Sequence, residues 1–241
     1  MNTETEFRTA LNALDWKKLK EEFFAQDQCL VIENFVPPAV LEGLVSSLPT
    51  LAPAVNRNYI PKHKKGGSVS RYDLDRLTPL FPEVYRTPVL WEFFKTITGQ
   101  ELLPCPATDP HTYALYYYTQ PGDHIGWHYD TSYYRGQRFT VLFSLVNRSS
   151  CRLECDLYYG DPTRESKLLS LAMTPGTFVI FNGDKLWHRV TPMGENEERI
   201  LLTMEFVTDP VMAPFKRFVS NMKDAIAYFG FRNVFGQRLP A

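Results

Sequence analysis

The stretch that decides the fold is Tyr116-Tyr-Tyr-Thr-Gln-Pro-Gly-Asp-His-Ile-Gly-Trp-His-Tyr-Asp130. It begins with a tyrosine-rich segment of strand character, turns at Pro121-Gly122, and ends on extended backbone that carries His128 and Asp130. Residues two apart on extended backbone point to the same side. The sequence therefore predicts that the imidazole of His128 and the carboxylate of Asp130 face one common point, as two ligands of one metal ion must.

A third ligand candidate, His188, lies 58 residues after Asp130, beyond the apolar run Thr177-Phe-Val-Ile-Phe181, and Arg199 follows it by 11 residues. Two histidines and one carboxylate form the ligand set of non-haem Fe(II) oxygenases, which leaves coordination positions open. The triplet alone is weak evidence, because the chain has five histidines. The full order of strand, turn, triplet, second histidine and arginine is far more specific, so His128, Asp130 and His188 are the predicted metal ligands and catalytic centre.

Short strands separated by turn signals surround these residues. Strands are predicted at 113–118, 139–147, 152–159, 168–173, 177–181, 189–191 and 200–207. Glycine and proline punctuate them, and Asn182-Gly183 is a strong signal for a tight turn. Repeated short strands of this kind predict a β-sandwich or a β-barrel.

The first 110 residues combine helical patterns with one long polar segment. Helices are predicted at 6–25 with a break near Asp15, at 38–48 and at 88–99. Residues 49–80 are predicted to be irregular, and their part 56–71, with a hinge at Gly66-Gly67, is predicted to be a lid. We expect one domain over 1–241, in which 1–110 give helical support and the lid, 111–208 form the catalytic core, and 209–241 form a C-terminal helix.

Composition narrows the classes of partner. The formal net charge is −1, which gives no electrostatic basis for binding nucleic acid. The N-terminal sequence lacks the pattern of a signal peptide, and no apolar run reaches the length of roughly 18 residues that a membrane span needs. We therefore expect a cytoplasmic protein with no membrane partner, whose four cysteines are buried thiols. No oligomeric state follows from the sequence.

Residues 113–207 resemble the catalytic core of the Fe(II)/2-oxoglutarate-dependent oxygenases, in particular the prolyl-hydroxylase-like branch. The resemblance implies a mainly β fold with flanking helices, a double-stranded β-helix of the jelly-roll, cupin-like type. It implies Fe(II) as cofactor, and 2-oxoglutarate and O2 as cosubstrates. It also implies that Arg199 binds the distal carboxylate of 2-oxoglutarate, since a guanidinium matches a carboxylate in a planar fork. Tyr118 and Tyr116, which share one strand face, are the further candidates for binding the cosubstrate.

The segment Trp127-His-Tyr-Asp-Thr-Ser-Tyr-Tyr-Arg-Gly136 is also similar to small bacterial enzymes that hydroxylate or halogenate free amino acids. Radical halogenases of this superfamily carry Gly or Ala in place of the ligand carboxylate, so Asp130 favours hydroxylation of a small molecule. Two alternatives stay open. One is desaturation or cyclisation at the same iron centre, and the other is a non-oxidative metal-binding barrel, such as a sensor or a cupin-type isomerase.

The predicted substrate is a free amino acid or a similar small carboxylate. Arg71, in the basic lid segment, is the candidate for its carboxylate, because a guanidinium can bind a carboxylate through two hydrogen bonds. Glu205, together with Asp123, would provide an acidic patch for the ammonium group. His124, close to the triplet, is a further candidate for contact with the substrate.

Overall fold

The helices lie mostly in the first 98 residues. The computed structural model describes residues 2–230 and Val234. The α-helices of this part are α1 (Thr3–Asn12), α2 (Trp16–Ala25), α3 (Pro38–Ser46), α4 (Leu48–Leu51), α5 (Arg71–Leu77), α6 (Leu80–Arg86), α7 (Pro88–Thr98) and α8 (Pro214–Asp224). A 3₁₀ turn (Ala52–Ala54) follows α4, and a π-helical turn (Ala225–Phe229) follows α8.

Local signals account for the ends of the long helices. The break predicted near Asp15 is confirmed, because its carboxylate accepts a hydrogen bond of 3.0 Å from the backbone N–H of Lys18 and starts α2. Pro38 occupies the first turn of α3, where its missing N–H costs nothing. Gly99 ends α7 with a φ of 66°, a left-handed conformation that glycine adopts without strain.

The strands form one continuous antiparallel sheet. They are β1 (Cys29–Ile32), β2 (Asn56–Ile60), β3 (Lys64–Val69), β4 (Leu103–Pro104), β5 (Tyr113–Tyr118), β6 (His124–His128), β7 (Arg138–Arg148), β8 (Leu153–Leu157), β9 (Lys167–Leu171), β10 (Phe178–Asn182), β11 (Trp187–Val190) and β12 (Glu198–Val207). Their order is β1-β10-β7-β12-β5-β3-β6-β11-β8-β9, with β2 paired to β3 and β4 paired to β12.

The sheet curls so that its two halves pack face to face. One apolar cluster joins Leu142 of β7 and Phe181 of β10 to Leu153 of β8 and Val190 of β11, strands from opposite ends of the path. This arrangement of two facing antiparallel halves confirms the predicted jelly roll. A cavity opens between the halves, and the inward side chains of β12 line it: Arg199, Leu201, Thr203 and Glu205.

The outer face of the β7, β10 and β12 half packs on the helices. Alternation along β12 sends Ile200, Leu202, Met204 and Phe206 to this side. Aromatic rings dominate the contact. Phe94 of α7 stacks on Phe178 of β10 with ring centroids 5.7 Å apart, and Phe35 stacks on the same ring at 4.5 Å. The helices therefore brace the sheet from outside and leave its inner face to the cavity.

The prediction that residues 49–80 are irregular is wrong. It contains the hairpin of β2 and β3 and the helices α4 and α5, and β3 joins the sheet between β5 and β6. The segment 56–71 is thus part of the barrel wall. Of the predicted C-terminal helix at 209–241, α8 and its π-helical turn lie in the described chain. Residues 231–233 and 235–241 lie outside the described residues.

Two smaller expectations concern membranes and thiols. Within residues 2–230, the helices are too short or too polar to cross a membrane. All four cysteines are buried and free, as predicted.

Candidate metal centre

Three predicted ligands meet at the mouth of the barrel. His128 ends β6 and His188 lies on β11, directly opposite in the antiparallel register, with ring centroids 4.2 Å apart. Asp130 follows β6 by two residues. Its Oδ1 lies 3.4 Å from Nε2 of His128, and its Oδ2 lies 3.7 Å from Nε2 of His188. One possible ligand atom from each residue lies within 4.8 Å of the others.

Hydrogen bonds fix the orientation of both imidazoles. Nδ1 of His128 lies 2.8 Å from the carbonyl oxygen of Gly126, and Nδ1 of His188 lies 3.0 Å from that of Leu186. A carbonyl oxygen only accepts, so each Nδ1 carries the proton and each Nε2 keeps its lone pair for a metal. Metal–imidazole bonds are about 2 Å long, so ligand atoms about 4 Å apart fit one ion.

The electrostatics of the cluster suit deprotonated ligands. Burial raises the pKa of Asp130, but the imidazoles of His188 and His128 and the guanidinium of Arg138 outweigh it and hold that pKa well below its usual range. Burial and the neighbouring His128 lower the pKa of His188 to about 4, against the opposing effect of Asp130. A neutral His188 and an ionised Asp130 are the forms that bind a metal cation.

Arg199 provides a cation in the same cavity. Its side chain is 1% exposed, its Nη1 has no hydrogen-bond partner among the described residues, and Nη2 meets only the sulfur of Met173 at 3.6 Å. The ring centroid of Tyr118 lies 5.2 Å from its Cζ. Burial lowers the pKa of Arg199, which Tyr118 partly offsets. A buried guanidinium without an anion is costly, so the cavity fits an anionic group such as a carboxylate of 2-oxoglutarate.

Both predicted tyrosines line the cavity, together with Thr203. Tyr116 lies beside Tyr118 on the inner face, and its hydroxyl lies 3.2 Å from Nδ1 of His111. The buried hydroxyl of Thr203 has no hydrogen-bond partner in the described chain. Thr203 shares the strand face of Arg199 by period two, so a signal for it was present in the sequence.

The far side of Asp130 carries a buried polar network. Thr140 donates a hydrogen bond of 2.8 Å to Oδ2 of Asp130 and lies 3.3 Å from Oε2 of Glu205. Nε of Arg138 lies 3.4 Å from the same Glu205 oxygen, yet without hydrogen-bond geometry. Burial raises the pKa of Glu205 to about 8, and the nearby carboxylates of Asp130 and Asp109 add to this, whereas Arg138 opposes it.

The π-helical turn closes this side of the cavity. Tyr228 lines it, and its backbone carbonyl accepts hydrogen bonds from the side chains of Asn56, Asn58 and Ser68. The Nζ of Lys64 lies 3.3 Å from the centroid of the Tyr228 ring. The hairpin of β2 and β3 therefore holds the π-helical turn in place.

The structure does not place Arg71 beside the three predicted metal ligands. Arg71 begins α5, its Nε lies 3.4 Å from Oδ2 of Asp75, and it lines a separate groove with Tyr85 and Trp91. The cause is that the segment 56–71 is a hairpin and a helix start, which holds Arg71 outside the barrel. Arg71 therefore lies away from the cavity that holds the predicted metal ligands.

His124 and Asp123 also have local partners instead of lining the cavity. Nδ1 of His124 lies 2.8 Å from the carbonyl of Gly122. Asp123 is fully buried, pairs with Nη2 of Arg57 at 2.6 Å, and accepts the backbone N–H of Thr119 at 2.9 Å. Asp123 thus closes the turn before β6, and of the predicted acidic patch only Glu205 faces the cavity.

Among known proteins, a family model described as Halogenase D matches residues 12–135 of the chain. The match covers 124 of 241 residues, just over half, and includes His128 and Asp130. None of the curated proteins matches significantly.

Solved structures of several non-haem iron enzymes share the fold. A prolyl-4-hydroxylase from Pseudomonas putida has a TM-score of 0.60 at 14% identity, covering 79% of this chain and 98% of that chain. A prolyl hydroxylase from Trichoplax adhaerens, solved with a hypoxia-inducible-factor peptide, has a TM-score of 0.64 at 12% identity, covering 90% and 94%. The alpha-ketoglutarate-dependent epimerase SnoN from nogalamycin biosynthesis has a TM-score of 0.66 at 10% identity, covering 83% and 86%.

Proposed function

The chain belongs to the Halogenase D family, and we propose that it is an Fe(II)- and 2-oxoglutarate-dependent oxygenase that hydroxylates an unactivated C–H bond of a small molecule. His128, Asp130 and His188 would hold the iron, and Arg199 would bind a carboxylate of 2-oxoglutarate. Bound together, Fe(II), 2-oxoglutarate and O2 would supply the oxidant for the C–H bond, with succinate and CO2 as co-products.

The observation that carries this proposal is the buried guanidinium of Arg199 in the cavity of the three ligands, whose Nη1 has no hydrogen-bond partner among the described residues. A non-oxidative metal-binding barrel would need the ligands, but it would have no use for a buried cation without an anion. An enzyme that chelates a dicarboxylate beside its metal needs both features. Tyr118 packs against the guanidinium and would help to hold it towards the cosubstrate.

Asp130 favours hydroxylation over halogenation. Radical halogenases lack a carboxylate at this position, which leaves a coordination site for halide. In this chain Asp130 would occupy that site, whatever the name of the family. Enzymes with this fold catalyse more than one reaction, since a prolyl-4-hydroxylase and an epimerase both resemble this chain. Desaturation or cyclisation at the same iron centre is therefore the second candidate function.

We propose a free amino acid as the substrate, with Glu205 at its ammonium group. The carboxyl of Glu205 is buried, and this burial raises its pKa more than the one nearby cation, Arg138, lowers it. An incoming ammonium group would supply further positive charge. Arg138, which has an unsatisfied buried Nε beside Glu205, replaces Arg71 as the candidate for the substrate carboxylate. Tyr228 would exclude water from the bound substrate.

The experiment is a product screen. The protein would be incubated with Fe(II), ascorbate, 2-oxoglutarate and chloride in air, together with free amino acids and their N-acetyl and methyl-ester forms. We expect one free amino acid to gain one oxygen atom, and both blocked forms to be poor substrates. A chlorinated product would identify a halogenase. Loss of two hydrogens without gain of oxygen would identify a desaturase or a cyclase. Efficient turnover of the blocked forms would show that Glu205 and Arg138 do not bind the ammonium and carboxylate groups of the substrate.

A further inference from the structure

The carboxylate of Asp130 sits in a socket made by Thr140 on β7 and by Gly183 in the turn after β10. Asp130 lies on the rim after β6, beyond the last residue that the ladder holds in place. Its position must therefore be fixed by contacts of the side chain. The first contact comes from Thr140 on β7, which is 1% exposed and donates its hydroxyl to Oδ2 at 2.8 Å.

The hydroxyl of Thr140 has one proton and lies near two carboxyl groups, those of Asp130 and Glu205. Its Oγ1 lies 2.8 Å from Asp130 and 3.3 Å from Glu205, and a hydroxyl donates only one hydrogen bond. The shorter distance assigns the proton to Asp130. Because the bond engages Oδ2, it distinguishes the two oxygens of Asp130 and leaves Oδ1 as the oxygen for a metal.

Gly183 forms the other wall of the socket. A Cβ built on Gly183 would lie 2.8 Å from Cβ of Asp130, 3.1 Å from its backbone oxygen and 3.3 Å from Oγ1 of Thr140. Gly183 is not among the described glycines with positive φ, so its backbone does not demand glycine. Its N–H donates a hydrogen bond of 2.8 Å to the carbonyl of Arg138, which keeps the backbone of Gly183 from moving away from Asp130. Only the absence of a side chain leaves room for Asp130.

We propose that Thr140 and Gly183 form a socket that positions the Asp130 carboxylate as a metal ligand, with Thr140 as a positioning residue that never touches the metal. This inference rests on the proposed function for the identity of the metal centre. The site is built around a carboxylate ligand, since without the side chain of Asp130 the hydroxyl of Thr140 would lose its acceptor and Gly183 would lose its contact with the Cβ.

Metal affinity without turnover tests the hydroxyl. Fe(II) binding would be measured by anaerobic calorimetry, with no 2-oxoglutarate present, for the wild type, Thr140→Val and Thr140→Ser. Valine keeps the shape and removes the hydroxyl, and serine keeps the hydroxyl. Residues that orient metal ligands typically change affinity by about 10–100-fold, so we expect a rise in Kd of this size for valine and a value near wild type for serine.

The matched control is Thr177→Val. Thr177 is a buried threonine whose hydroxyl lies 3.1 Å from that of Thr174, and it does not line the cavity. Its Kd for Fe(II) should equal that of the wild type. Equal Kd values for Thr140→Val and wild type would overturn the role of Thr140, as would an equal weakening by Thr140→Ser.

A double-mutant cycle tests Gly183. Gly183→Ala should weaken Fe(II) binding, but it should weaken it less in the Asp130→Gly background, where the Cβ at 2.8 Å is gone and only the contacts at 3.1 and 3.3 Å remain. Circular dichroism would establish folding of each variant, and the threonine series stands if alanine prevents folding. The same loss in both backgrounds would show that Gly183 serves the fold and not Asp130.

The socket and the proposed function fail in different ways. If Thr140→Val weakens Fe(II) binding while the wild type forms no succinate from 2-oxoglutarate, the socket stands and the oxygenase assignment falls. If the wild type forms succinate while Thr140→Val binds Fe(II) normally, the assignment stands and the socket falls.

Discussion

At the scale of single residues, the cavity is defined by buried ionisable groups. Arg199 is a buried cation with no carboxylate beside it in the described chain, whereas Glu205 is a buried acid whose pKa is raised to about 8. Perturbed groups of this kind cluster at functional sites. Each gives a prediction with a defined direction.

Arg199→Ala should raise the concentration of 2-oxoglutarate needed for half-maximal binding while Fe(II) affinity stays unchanged. The substitution removes a charge-assisted pair from a buried site, which commonly costs about 2–5 kcal/mol. The measurement is 2-oxoglutarate titration of the protein loaded with Fe(II) under anaerobic conditions.

Arg148→Ala is the matched control for this titration. Arg148 is an arginine on the neighbouring strand β7, and its side chain is 77% exposed and paired with Glu198. It should leave 2-oxoglutarate binding unchanged. If Arg199→Ala also left it unchanged, the clamp would belong to another residue.

Glu205→Gln should change how the stability of the metal-free protein depends on pH. The carboxyl loses its proton near its usual pKa of 4.5 in the unfolded chain, but burial raises its pKa to about 8 in the folded protein. Ionisation therefore destabilises the native state as pH rises through this window, and below it the penalty is absent. Glutamine does not titrate, so the variant should gain on the wild type by about 2–3 kcal/mol between pH 5.5 and 7.5.

Urea unfolding at the two pH values, with a chelator present, measures this gain. Glu165→Gln, at an exposed position, is the control and should show no such trend. A stability difference between Glu205→Gln and wild type that does not vary with pH would contradict the assignment of a raised pKa to Glu205.

At the scale of elements, the sequence predicted those elements that have a clear local pattern of apolar residues. It missed the hairpin of β2 and β3. The predicted strand at 113–118 matches β5, and the predicted helix at 88–99 matches α7 within a residue. Both carry clear apolar periodicity. The hairpin β2 and β3 is polar and lysine-rich, with two adjacent glycines, so it shows no alternation. Distant contacts hold it, such as Arg57 on Asp123 and Asn56 on the carbonyl of Tyr228.

The adjacent glycines of β3 should respond differently to alanine. A Cβ on Gly67 would lie 2.6 Å from Cγ1 of Val55 and 3.2 Å from Cβ of Tyr117, whereas one on Gly66 would meet its nearest atom at 3.6 Å. Overpacking of this kind typically costs about 1–3 kcal/mol. Gly67→Ala should therefore lower the free energy of unfolding by about that amount, and Gly66→Ala should lower it much less.

Thermal unfolding of the two variants side by side is the measurement, and Gly66→Ala is its own matched control. Similar behaviour of the two would mean that the β2 and β3 hairpin yields as a flexible segment. That outcome would support the hinge that the sequence predicts at Gly66-Gly67.

At the scale of the whole molecule, the fold was predictable because the sequence order of its signals is characteristic. The resemblance to Fe(II)/2-oxoglutarate oxygenases and the jelly roll are both confirmed, and His128, Asp130, His188 and Arg199 lie in one cavity. The second layer of the site depends on register. Thr140 faces Glu205 across β7 and β12, 65 residues away in sequence. No local pattern carries such a pairing, so the sequence did not indicate Thr140 and Arg138. It indicated Arg71 instead, which lines a separate groove in the structure.

The central claim is that this fold performs 2-oxoglutarate-dependent oxidation at an Fe(II) centre. The most direct measurement is succinate formation by the purified protein from 2-oxoglutarate, with Fe(II), ascorbate and air, in the presence and absence of free amino acids. We predict succinate that requires Fe(II), increases with the true substrate, and falls in Arg199→Ala at low 2-oxoglutarate. Absence of succinate from protein that demonstrably binds Fe(II), across the whole amino-acid panel, would contradict the claim.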